Sequence, residues 1–116
     1  MTIAYDVQIK GYHNVDFGQA LVMKSDETTF VDLTGTQFKM TIADTVTGTI
    51  VKTLSNALGI TITDAINGAW RFDLTEVDMT ALGVGKFKHE MIWTQGTYSQ
   101  VLWTGKMTIL KGIGTP

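Results

Sequence analysis

At 116 residues, with 44% hydrophobic and 17% charged side chains, the chain has the size and make-up of one folded domain, not of a disordered segment. A formal charge of −2 supplies no basic excess for holding DNA or RNA, and the absence of cysteine excludes disulfides and thiolate zinc sites. The start, Met1-Thr2-Ile3-Ala4-Tyr5-Asp6, lacks the basic and apolar runs of a signal peptide, and no stretch approaches the roughly 20 apolar residues of a membrane span.

Twelve glycines, one proline and many Thr, Val and Ile residues point to short strands joined by tight turns. Ile3, Tyr5, Val7 and Ile9 alternate with polar or small residues, which predicts a half-buried strand. A second strand spans residues 17–24, with Phe17, Leu21 and Met23 on one face. After a polar turn, Val31 and Leu33 anchor a short extended piece that ends at Thr34-Gly35. Phe38, Met40 and Ile42 mark a third strand, and residues 50–54 a shorter one. Residues 60–63 and 70–74 form a hairpin across a turn at 64–68.

Thr75, followed three residues later by Asp78, is a helix start, because hydroxyl and carboxylate can satisfy each other's backbone amides. The spacing predicts a short helix over residues 76–82, ended by Gly83 and Gly85. Residues 86–93 and 98–103 then form a hairpin around Gln95-Gly96. A two-residue loop there places Thr94 opposite Thr97. Phe87, His89, Met91 and Trp93 then share the inward face with Tyr98, Gln100 and Leu102. Lys88, Glu90, Ile92, Ser99, Val101 and Trp103 face outward, with Lys88 opposite Trp103, Glu90 opposite Val101 and Ile92 opposite Ser99. The fold class that follows is all-β: two packed antiparallel sheets of seven to eight strands with one helix near residues 76–82, in a single domain over 1–116.

No catalytic apparatus is readable. His13 and His89 are far apart in sequence, and Ser25, Ser55 and Ser99 lack the sharp turn that presents a nucleophile. Gly83-Val84-Gly85 follows a helix and opens a strand, the reverse of a phosphate loop. Carboxylates at Asp26, Glu27 and Asp32, and at Asp73, Glu76 and Asp78, could offer oxygens to Ca²⁺ but serve equally as turn and cap residues. The expectation is therefore no enzyme, no cofactor and no metal. Trp70 and Trp93 read as core. Trp103, out of phase with Leu102, joins Ile92 and Val101 in an outer apolar patch beside Lys88, the candidate protein interface; a sugar-stacking platform is the rival use of the same patch.

The runs Leu33-Thr34-Gly35, Ile60-Thr61-Ile62-Thr63, Gly68, Phe72-Asp73-Leu74, Thr80-Ala81-Leu82 and Gly85-Lys86-Phe87 form a recurrent pattern. With the ending Leu102, Gly105, Ile109 and Gly112-Ile113-Gly114-Thr115, it resembles a small immunoglobulin-like domain of tailed-bacteriophage and prophage virion proteins. Those include the N-terminal domain of baseplate upper proteins and short stand-alone structural proteins. His89 and Glu90 stand where that family usually carries Tyr and Asp. The resemblance implies a non-enzymatic virion subunit of tail, baseplate, head–tail junction or capsid. Its partners would be other virion proteins and a second copy of itself, not nucleic acid or membrane. A carbohydrate-binding module for host attachment is the second reading.

Overall fold

The computed structural model describes residues 5–25 and 28–111. Ile3, Asp26, Glu27 and the Gly112-Ile113-Gly114-Thr115 ending lie outside the described residues. In chain order the strands are β1 (Tyr5–Asp6), β2 (Ile9–Tyr12), β3 (Phe17–Val22), β4 (Gln37–Asp44), β5 (Ile50–Asn56), β6 (Gly59–Asp64) and β7 (Ala69–Leu74). The helix α1 (Glu76–Leu82) leads into β8 (Gly85–Gln95) and β9 (Tyr98–Leu110).

The chain is almost entirely β, but its strands make one continuous hydrogen-bonded path rather than two separate sheets. The order is β1-β9-β8-β4-β5-β6-β7-β3, with β2 also on β9. β1 and β2 lie end to end along the same edge of β9, and both run parallel to it, so the sheet is mixed. Between β5 and β6 the path turns a corner. Ser55 and Leu58 exchange backbone hydrogen bonds at 3.1 and 2.8 Å, and Ala57 adopts φ 66°. That corner folds β6, β7 and β3 over the other strands. The path approaches a barrel without closing, since β3 pairs with β7 and β1 and β2 pair with β9.

The alternation Phe38, Met40, Ile42 and Trp70, Phe72, Leu74 buries one face of each layer, because side chains in a strand point to opposite faces in turn. Aromatic rings join the layers. Trp70 stacks on Phe38 with centroids 4.0 Å apart and on Trp103 at 5.8 Å. Helix α1 begins as the sequence requires. Asp78 N–H donates to Thr75 Oγ1 (3.2 Å), and Thr75 N–H donates to the Asp78 carboxylate (3.0 Å). Asp16 accepts from the Glu76 amide at 2.6 Å, Met79 is the buried anchor, and Gly83 at φ 80° ends the helix.

The hairpin differs from its sequence reading in two ways. The turn is Gly96-Thr97, so Gln95 faces Tyr98 and Thr94 faces Ser99. A β-bulge then inserts Leu102, because Ile92 faces Val101 while Met91 faces Trp103. One extra residue inverts the side-chain phase of everything after it.

Candidate interaction surface

The bulge decides where the outer-face residues go. Trp103 is not on that face: it is 6% exposed, within the core, between Trp70 and Phe72. The proposed patch, as interface anchor or sugar platform, therefore loses its tryptophan. Ile92 and Val101 do face outward and are half-buried, now directly opposite each other. Lys88 is exposed, opposite Lys106 rather than Trp103, and Glu90 is opposite Thr104 rather than Val101.

The registers of β2, β9, β8 and β4 lay this face out in rows, since paired residues share a face. Lys10, Thr108 and Lys86 form the first row, and Lys106 with Lys88 the second. Thr104, Glu90 and Thr41 form the third. Val101, Ile92 and Lys39 form the fourth. Thr94 and Ser99 close the face with a hydroxyl–hydroxyl bond of 2.8 Å. A shallow concavity of about 310 Å³ beside the first rows is lined by Gln8, Thr45, Lys86, Phe87, Lys106 and Thr108. The sequence carried part of this signal in the alternation Lys86-Phe87-Lys88. It carried no sign that Lys10, 76 residues earlier, would join them through a parallel pairing.

Beneath the face, His89 points inward as expected and is 3% exposed. Its Nε2–H donates to the Val7 carbonyl at 2.8 Å, and its Nδ1 accepts from Trp103 Nε1–H at 3.2 Å. Trp103 can only donate and a carbonyl can only accept, so these two bonds define a neutral ring with its proton on Nε2. The Val7 carbonyl reaches His89 by crossing directly over Gly105. A Cβ on Gly105 would fall inside the Val7 backbone. That crossing is the gap between β1 and β2.

On the open side of the sheet, a groove of about 1120 Å³ runs between the two unclosed edges. Val7 and Ile9 line one side, Phe17 and Leu21 the other, and Trp93 and Trp103 belong to its floor. Trp70 Nε1 and Trp93 Nε1 have no hydrogen-bond partner among the described residues.

Three of the six carboxylates considered for Ca²⁺ are engaged elsewhere. Asp73 accepts two bonds from Arg71 (2.6 and 2.8 Å), Asp78 pairs with Lys52 at 2.8 Å, and Asp32 accepts from Thr34 at 2.6 Å. Burial pushes the Asp78 carboxyl up, but hydrogen bonds from Lys52 and Thr75 and the lysine charge outweigh it and hold it below its ordinary value. Among the described residues no three His, Cys, Asp or Glu side chains group to hold a metal.

No family model matches the chain, and no curated protein matches it in sequence. Among solved structures it is similar to the N-terminal domain of phage TP901-1 ORF48, with a TM-score of 0.55 and 15% identity. The match covers 95% of this chain and 92% of that one. The likeness is one of fold, end to end.

Proposed function

We propose that the chain is a non-enzymatic subunit of a tailed-phage particle, belonging to the tail or baseplate, and that its fold is a phage form of the immunoglobulin-like sandwich. The observation that carries this reading is the near full-length likeness to a phage protein domain. The outer face of β9, β8 and β4 is the contact surface. The pair Ile92–Val101 supplies an apolar centre, and Lys88 and Lys39 supply charge around it. Its partners are other virion proteins and further copies of the chain. The test is particle incorporation of Ile92→Glu, with a thermal melt of the free protein. The melt should change little, because Ile92 points away from the core, while incorporation into purified particles, counted by mass spectrometry, should fall. Normal incorporation of the variant would remove this face as the contact, and absence of the wild-type chain from particles would remove the virion reading.

A further inference from the structure

The first two rows of the outer face hold Lys10, Lys86, Lys88 and Lys106 across three neighbouring strands. All four are exposed, and none forms an ion pair among the described residues. Two acidic residues stand in the next row, Glu90 and Asp6, paired with Thr104 from either side. Lys88 stands directly opposite Lys106 in an antiparallel pair, an arrangement that destabilises a sheet left on its own. The repulsion is relieved when anionic groups enter between the ammonium groups. The concavity between Gln8, Lys86 and Lys106 can receive one such group with the Thr108 hydroxyl beside the charges, the Thr45 hydroxyl being engaged with the Lys86 carbonyl at 3.2 Å.

We propose that this lysine cluster is a docking site for an acidic segment of a partner protein, whose carboxylates lie over Lys10, Lys86, Lys88 and Lys106. The inference rests on reading the outer face as a contact surface, and it adds the partner's chemistry. Ile92 and Val101 continue the same face about 14 Å beyond Lys88 along β8, at about 3.4 Å per residue. An acidic polypeptide with an apolar residue at that distance uses both features. A nucleic-acid backbone gains nothing from the apolar pair.

The test titrates the whole protein with a fluorescein-labelled peptide of consecutive glutamates followed, four residues on, by a leucine and, separately, with a short DNA duplex of equal charge, at low salt. Binding of the peptide should be saturable, should weaken as salt screens the charges, and should exceed that of the duplex. Lys86→Glu with Lys106→Glu should weaken it about tenfold or more, since charge reversal turns attraction into repulsion. Lys24→Glu, away from this face, should leave it unchanged. Lys106→Glu also removes the like-charge pair with Lys88, so the double variant should melt no lower than wild type. If it does melt lower, Lys86→Ser with Lys106→Ser reads the same loss without reversal. Peptide binding that survives both double variants, wild-type binding that is not saturable, or tighter binding of the duplex would overturn the proposal. Because the titration contains no particle components, its result stands apart from incorporation of Ile92→Glu.

Discussion

His89→Leu breaks both bonds of the relay between Trp103 and Val7. Trp103 Nε1–H loses its acceptor at 3.2 Å and the Val7 carbonyl loses its donor at 2.8 Å. His89 and Trp103 are 3% and 6% exposed, so the indole N–H stays dry, while the carbonyl of half-buried Val7 on the groove wall is partly shielded. A buried polar group without a partner costs about 1–3 kcal/mol, which gives about 2–6 kcal/mol for the two. Burying the leucine side chain returns about 1.5–3 kcal/mol. The expected net loss is about 2 kcal/mol, or about 8 °C in Tm for a domain of 116 residues. The assay is urea unfolding followed by tryptophan fluorescence, run as a double-mutant cycle with Trp103→Phe. Removing the indole donor should cost clearly less in the His89→Leu background, because the orphan leaves with it. His89→Gln, which can both donate and accept, should lose less than His89→Leu. Costs that add within about 0.5 kcal/mol would mean that the two side chains do not interact, and the tautomer argument would fail with them.

Trp103→Ala should destabilise the isolated protein by about 3–5 kcal/mol, as truncation of a buried ring does; a variant that melts like wild type would return Trp103 to the surface. Gly105→Ala should force the Val7 crossing away from β9 and lower Tm, with amide-exchange protection at Val7 as the local readout, and unchanged protection would refute the close approach. Asp78 is held below its ordinary value of 3.8, so its contribution is present above that pH and lost as pH falls through the lower folded value. The melting advantage of wild type over Asp78→Asn should therefore be full at neutral pH and shrink in acid below 3.8; an advantage that persists there would show that the charge is not what matters.

Local chemistry was the readable part of the sequence. The Thr75–Asp78 spacing marks the start of α1 because both partners of the cap lie within four residues. His89 is placed inward because the alternation in β8 runs unbroken from Phe87 to Met91. Trp103 was misplaced for the opposite reason. Its face depends on the extra residue at Leu102, and a bulge leaves alternation intact on each side while reversing its sense. The mixed sheet was hidden too. Whether β1 and β2 run parallel to β9, and whether the β5–β6 corner joins the layers, depends on pairings between distant segments. The lysine cluster inherits that dependence, since Lys10 joins it only through the parallel edge.

The interruption at Val7 also bears on solubility. An edge strand with a long run of free amides and carbonyls is a template on which identical chains can stack into fibrils. Here the edge along β9 is interrupted at Val7, whose carbonyl turns inward to meet His89, so β1 and β2 do not present one unbroken row. A chain at high concentration has a shorter template at an edge interrupted in this way. The imidazole that completes the interior hydrogen bonding thus also breaks one of the two open rims of the sheet.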